Sequence, residues 1–279
     1  MVDIVYYISV CYKLFATRGT LMSRPALRLL RVIRAYSVTP HMRRIVLGGE
    51  GLTGFPDGHE SANFKLLLPP ADGGPLNLDD LRATDRATRP IVRTYTVRYY
   101  DAERQEVAVD FMMHRNHGPA SGWAAQASPG DEVGFAGPGQ PKFVNAEADW
   151  FFFAGDMSAL PAIGANIERL PPAAKGHAVL EVLSEEDRQE LTFPKGIKVT
   201  WVINPEPERS NTLLLDAVKR QPWLSGQPSV WAAGEGQTAR ALRHYFKRER
   251  QVEKHNLYTS GYWQIGMTED VHQIAKRKE

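Results

Sequence analysis

Apolar and polar positions change rhythm once along this chain, near residues 143–149. Before that point the runs are short. Leu27 to Val38, Met42 to Leu47, Phe64 to Leu68, Val92 to Tyr100, Glu106 to His114 and Glu132 to Ala136 read as β-strands, with Gly, Pro, Asn and Asp clusters between them. One helix, Pro119 to Ala127, interrupts the series. Leu76 to Pro90 is polar and charged and reads as a surface loop or short helix. Short strands with one helix predict a closed antiparallel β-barrel, because closure removes exposed sheet edges.

After the change, continuous apolar runs alternate with helical periodicity. Trp150 to Ala154 reads as a buried parallel strand and Ala159 to Leu170 as a helix. Strands Ala178 to Leu183 and Val199 to Ile203, helix Thr212 to Arg220, strand Val230 to Ala233 and helix Gln237 to Gln251 follow, with Gly261-Tyr262-Trp263 at the end of the sheet. This order predicts an α/β doubly wound parallel sheet. The expected organisation is therefore two domains, a β-barrel over residues 24–145 and an α/β domain over 149–279. Such a pair suits two cofactors, one per domain.

Residues 1–21 stand apart. Ile4 to Tyr12 is apolar and uncharged, but no basic stretch precedes it and no small-residue cleavage site follows. The segment is expected to be disordered or the product of a misassigned start, and dispensable. A membrane-touching or partner-binding segment is the functional alternative. No run approaches the ~18 apolar residues a membrane-spanning helix needs, so no stable membrane association is expected.

Composition narrows the classes. Of 279 residues, 43% are hydrophobic and 24% charged, ordinary for a globular chain with a core able to exclude water. The net charge of +2 argues against a nucleic-acid binder. The single cysteine, Cys11, excludes an intramolecular disulfide and a cysteine-built metal centre, and fits the cytoplasm. No histidine pattern suggests a bound metal.

Two motifs carry the chemistry of the first half. Arg93-Thr94-Tyr95-Thr96 sets a guanidinium, a ring and two hydroxyls on one extended run. Gly118-Pro119-Ala120-Ser121 turns directly into a helix, whose unpaired amides and positive dipole end suit a phosphate. Arg93 offers bidentate phosphate binding, Tyr95 a face for an isoalloxazine ring, and Thr96 a hydrogen bond to its reactive edge. Taken singly, Tyr95 is equally barrel packing and Arg93 equally the partner of a surface carboxylate. His114, at a strand end, reads by itself as a structural hydrogen-bonder.

In the second half, Gly155-Asp156-Met157-Ser158 follows the first parallel strand, where Asp156 and Ser158 suit a helix cap or a nucleotide. Ala233-Gly234-Glu235 follows a later strand. Small residues there allow close approach, and Glu235 at a helix start is favoured in its ionised form. A well-capped helix start explains either turn equally well. Lys65, Arg240, Arg243, Lys276 and Lys278 form a candidate positive rim for an anionic substrate.

The ordered set RTYTVR (Arg93 to Arg98), VDFMMH (Val109 to His114), GPASGWA (Gly118 to Ala124), PGDEVGFAGPG (Pro129 to Gly139), AGDMSALPAI (Ala154 to Ile163), WAAGEGQTARALRHY (Trp231 to Tyr245) and GYWQIG (Gly261 to Gly266) resembles the siderophore-interacting proteins, flavin-dependent ferric-siderophore reductases. The resemblance implies a ferredoxin-reductase-like fold, an FAD barrel joined to a nicotinamide-nucleotide domain. It implies flavin contacts at Arg93, Tyr95, Thr96, His114, Ala120 and Ser121. It further implies electron flow from NADPH or NADH through FAD to a ferric siderophore, releasing ferrous iron. Three positions depart from the family pattern: Arg115 stands for Gly, Met157-Ser158 for Glu-Thr, and Ile203-Asn204-Pro205 where a His-Arg is usual. The last leaves NADPH against NADH open.

The expectation is thus a monomeric cytoplasmic FAD enzyme whose flavin, not an acid–base side chain, carries the redox step. Its cofactor-binding residues would be those six with Gly118, Asp156, Ala233, Gly234 and Glu235. A general flavin reductase or electron-transfer protein of the same fold, or a non-enzymatic siderophore-binding carrier, is the alternative.

Overall fold

A computed structural model describes residues 26–70, 74–78, 89–113 and 118–268. The expectations for residues 1–21, for most of the Leu76 to Pro90 insertion, and for His114, Arg115, Lys276 and Lys278 lie outside these residues. The chain separates into two compact units; residues up to 36 and 44–141 make the first, and residues 37–43 with those from 142 onward make the second.

Among the described residues the first sheet has seven strands rather than six: β1 (Leu27–Thr39), β2 (Met42–Gly48), β3 (Asn63–Leu68), β4 (Ile91–Thr96), β5 (Tyr99–Asp101), β6 (Glu106–Met112) and β7 (Glu132–Ala136). Their order in the sheet is β4-β3-β7-β1-β2-β6-β5. The run from Val92 to Tyr100, expected as one strand, divides at Val97 and Arg98. Those two residues bond to opposite ends of the sheet. The Val97 amide donates to the Ala62 carbonyl at 2.9 Å, and the Arg98 amide to the Ala108 carbonyl at 2.9 Å. The two edge strands are therefore consecutive in sequence, and the bend between them closes the sheet. An unbroken β-type run cannot reveal a change of partner. Inside, Phe64 stacks on Phe135 at 3.9 Å, and Leu30, Ile45, Leu66, Val109 and Phe111 fill the core. Helix α1 (Pro119–Gln126) lies between β6 and β7 in the chain.

The second unit is a parallel sheet of β8 (Trp150–Gly155), β9 (Lys175–Val182), β10 (Gly196–Ile203), β11 (Pro228–Glu235) and β12 (Leu257–Trp263), ordered β10-β9-β8-β11-β12. Helices α2 (Leu160–Ile167), α3 (Leu213–Lys219) and α4 (Gly236–His244) follow β8, β10 and β11. Alternate β8 residues feed two layers. Trp150, Phe152 and Ala154 pack with Leu214, Val218 and Leu242 of α3 and α4, while the Gly155 side meets Ile163 of α2. Two expected helices are shorter: Ala159 to Leu170 ends at Ile167, and Gln237 to Gln251 is α-helical only to His244, widening into a π-turn at Tyr245–Glu249. The expected doubly wound architecture is present. The strand order reverses between β8 and β11, the place beyond the strands' carboxyl ends where open α/β sheets form their ligand crevice.

Candidate functional site

In the first unit β3 pairs with β4 in the register Phe64↔Tyr95, Lys65↔Thr94 and Leu66↔Arg93. Directly opposed residues of an antiparallel pair share a face. Tyr95 and Arg93 therefore stand on the side of Phe64 and Leu66, and Lys65 on the side of Thr94. The Lys65 ammonium donates to the Thr94 hydroxyl at 2.6 Å. Arg93 is half-buried and one of its nitrogens donates to the Val92 carbonyl at 2.8 Å. Thr96 is buried.

A row of rings joins the two motifs. Tyr95 of β4 lies 4.3 Å from Phe111 of β6, which lies 5.8 Å from Trp123 of α1. The RTYT strand and the Gly118 helix thus belong to one neighbourhood. The helix begins from extended backbone at Gly118, has Pro119 in its first turn, and carries neither a side-chain cap nor an acidic residue there. Ala120 and Ser121 are buried, and the Ser121 hydroxyl donates to the Gly118 carbonyl at 3.2 Å. A helix start without cap or acid presents amide hydrogens and a positive dipole end to an anion. A half-buried ring and a guanidinium nearby complete a set that fits a flavin dinucleotide.

The second unit solves its helix starts differently. Asp156, just past β8, is buried and holds the switch point together. One of its oxygens accepts from the Ser158 amide at 2.9 Å and the Ser158 hydroxyl at 2.5 Å. The other accepts from the Glu235 amide at 2.8 Å and the Trp263 indole at 2.8 Å. Burial pushes the Asp156 carboxyl upward, against these four hydrogen bonds. Gly234 makes room for this brace. It has φ of +145°, and a Cβ there would come within 2.5 Å of the Asp156 carboxylate. Ala233 is buried within β11. The small residues therefore admit an internal carboxylate. Glu235 caps α4, accepting from the Thr238 amide at 2.8 Å.

Beside this brace lies a cavity of about 220 Å³, lined among others by Glu181, Arg209, Thr212, Glu235, Thr238 and Trp263. Glu181 is the residue that sequence reasoning missed. Its one signal was a carboxylate inside an otherwise apolar buried strand. Its side chain accepts from the Asn204 amide at 2.9 Å. Burial, with Asp156 and Glu235 adding repulsion, pushes its carboxyl up to about 7. Arg209 pairs with Glu206 at 3.0 Å on the surface. The three departures from the family pattern resolve unevenly: Met157 is buried, Asn204 serves Glu181, and Arg115 lies outside the described residues. Arg240 and Arg243 are exposed on α4, whereas Lys65 belongs to the first unit. Among the described residues no cluster of His, Cys, Asp and Glu could hold a metal ion.

Comparison with known proteins follows the same division. A family model described as the siderophore-interacting FAD-binding domain matches residues 31–142, and one described as siderophore-interacting protein matches 148–266. The ferric vibriobactin reductase ViuB of Vibrio cholerae is 34% identical over 251 residues, 88% of this chain and 92% of that protein. The NADPH-dependent ferric-chelate reductase of Escherichia coli is 30% identical over 85% of this chain and 92% of its own. The crystal structure of the siderophore-interacting protein SipS from Aeromonas hydrophila superposes with a TM-score of 0.78 at 33% identity, covering 91% of this chain and 98% of that one.

Proposed function

The chain belongs to the siderophore-interacting protein family, and from that premise we propose that it is an FAD-dependent reductase that draws electrons from a reduced nicotinamide nucleotide and delivers them to a ferric siderophore in the cytoplasm. One observation carries this reading. The RTYT strand and the acid-free, uncapped start of α1 share one ring-linked neighbourhood inside the stretch matched by the FAD-binding family model. When bound, FAD accepts a hydride and returns single electrons, which suits a two-electron donor and a one-electron ferric acceptor.

The chain's own residues bind, orient and shield. Arg93 and the amides at the start of α1 hold the pyrophosphate, and the ring row ending in Tyr95 gives the isoalloxazine an apolar bearing. Thr96 offers its hydroxyl to the ring edge. In the second unit the crevice at the strand-order reversal receives the nicotinamide nucleotide, and the small Gly234 with the Asp156 brace keeps that crevice in shape. The substrate iron needs no protein ligand, because its chelator brings its own oxygens. Exposed Arg240 and Arg243 on the second unit, and separately Lys65 on the first, add positive charge that draws an anionic chelate. Ferrous iron binds hard oxygen donors weakly, so reduction releases it.

Anaerobic stopped-flow mixing tests this. Flavin-loaded protein should bleach on mixing with NADPH or NADH. A ferric triscatecholate should then restore the yellow colour and yield trappable ferrous iron, at a rate that falls with added salt. Failure to bleach with either nucleotide contradicts the reductase. Bleaching followed by recovery only with oxygen would indicate a general flavin reductase.

A further inference from the structure

The cavity beside the switch point has the wrong charge for its ligand. Nicotinamide nucleotides carry negative phosphates. Glu181 and Glu235 line the cavity, and buried Asp156 stands close enough behind to repel Glu181. The α4 dipole, the usual attraction for a phosphate, is already used by the Glu235 cap. Among the described residues the one cation in the lining is Arg209, which stands exposed on the loop after β10 and pairs with Glu206.

An anion enters such a site more easily when one carboxyl is neutral, and the three are not equivalent. Asp156 accepts four hydrogen bonds across its two oxygens, from Ser158 twice, Glu235 and Trp263. Those bonds leave little room for a proton. Glu235 is held by the Thr238 amide, with the Ile265 amide at 3.5 Å. Glu181 receives a single donor from the described residues, the Asn204 amide. Its surroundings are otherwise Asp156 from the end of β8, Glu235 from the start of α4, Arg209 with Glu206 from the loop after β10, and the cavity itself.

We propose that Glu181 is the proton-binding residue of the nucleotide cavity, taking up one proton from solvent as the nicotinamide nucleotide binds. The inference rests on the reading that this cavity receives that nucleotide. Neutral Glu181 removes one negative charge facing the phosphates and gains an O–H able to donate to a ribose or phosphate oxygen. The group is already poised for this in the free protein, since burial pushes its carboxyl up to about 7. A bound anion raises that value further. Affinity should therefore be greatest below about 7 and weaken as pH rises, by up to about tenfold per pH unit, until the bound-state value is passed.

The test uses the flavin-loaded full chain with NADP⁺ and NAD⁺, which bind without reducing the flavin. Titration calorimetry between pH 5.5 and 8.5, in two buffers of different ionisation enthalpy, gives affinity and proton uptake together. The wild type should take up most of one proton near pH 8, with affinity falling by up to about tenfold from pH 6 to 8. Glu181→Gln keeps the carbonyl that accepts from Asn204 and supplies a permanently neutral donor. It should lose that proton uptake and bind at pH 8 as the wild type does at pH 6. The 2′-phosphate of NADP⁺ has its own second pKa near 6, but that contribution is common to both proteins and cancels in the difference. A wild type without pH dependence, or a Glu181→Gln protein with an unchanged profile, overturns the proposal while leaving flavin reduction by NADPH intact. Absence of nucleotide binding together with absence of flavin reduction would overturn the nucleotide reading itself.

Discussion

The helix that starts at Gly118 and the helix that starts at Gly236 face the same electrostatic situation and resolve it in opposite ways. Each presents amides and a positive dipole end at a place suited to a phosphorylated ligand. The first has no cap and no acidic residue in its opening turn. The second is filled by Glu235, with Asp156 bonded to the Glu235 amide itself. One start is left for an anion from outside, and the other is neutralised from within. On the proposed reading, this difference would separate a cofactor that stays bound from a substrate that must come and go. An open helix start would add affinity, whereas a pre-neutralised one would leave the ligand to be held by the cavity and, as proposed, by protonation.

Breaking the closed end should have the largest effect. Asp156→Ala removes the acceptor for two amides, a hydroxyl and an indole at the meeting point of β8, β11 and β12. Each buried donor left unpaired costs roughly 1–3 kcal/mol, so with partial relaxation the second unit should lose about 3–5 kcal/mol. Chemical denaturation followed by tryptophan fluorescence measures it, and a loss under about 1 kcal/mol would show that Asp156 is not the brace.

Next comes Glu181. A carboxyl whose folded value is raised penalises the fold as it ionises. The penalty is absent below the ordinary 4.5 and complete above about 7. Wild-type stability relative to Glu181→Gln should therefore fall by at most about 3 kcal/mol as pH rises through that window. Parallel stability curves for the two proteins would contradict the assignment.

Much of this contrast was legible in the sequence, and the limit has a physical cause. The change of rhythm near residues 143–149 located both architectures, because alternation and continuous apolar runs report directly on one-sided and two-sided burial. Gly118 and Glu235 were visible as helix starts because capping chemistry is local. What could not be read was pairing at a distance. The strand break at Val97 depends on a switch of partners from Ala62 to Ala108. Gly234 read as an opening for a ligand, yet its space is filled by Asp156, 78 positions earlier in the chain. Glu181 read as part of a strand, and only the fold brings Asn204, Asp156 and Glu235 around it.

On the open side, Arg93→Ala should weaken FAD by about 1.5–3 kcal/mol, the usual cost of a lost charged hydrogen bond, with little change in the stability of the FAD-free protein. Equilibrium dialysis against FAD measures this. Stoichiometric yellow protein retained at nanomolar concentration would count against Arg93 as a phosphate ligand.

The most direct measurement closes the open helix. Gly118 adopts φ −73° and ψ 173°, a conformation any residue accepts, and among the described residues a Cβ there would meet nothing within 4 Å. Gly118→Asp should therefore supply the missing cap, leaving the FAD-free protein as stable as the wild type or about a few tenths of a kcal/mol more stable. The same carboxylate would stand where the pyrophosphate is drawn, so FAD should bind about 1–2 kcal/mol more weakly, with the deficit shrinking at high salt. An unchanged FAD affinity in a correctly folded, better-capped protein would contradict the view that the start of α1 is kept open for the cofactor.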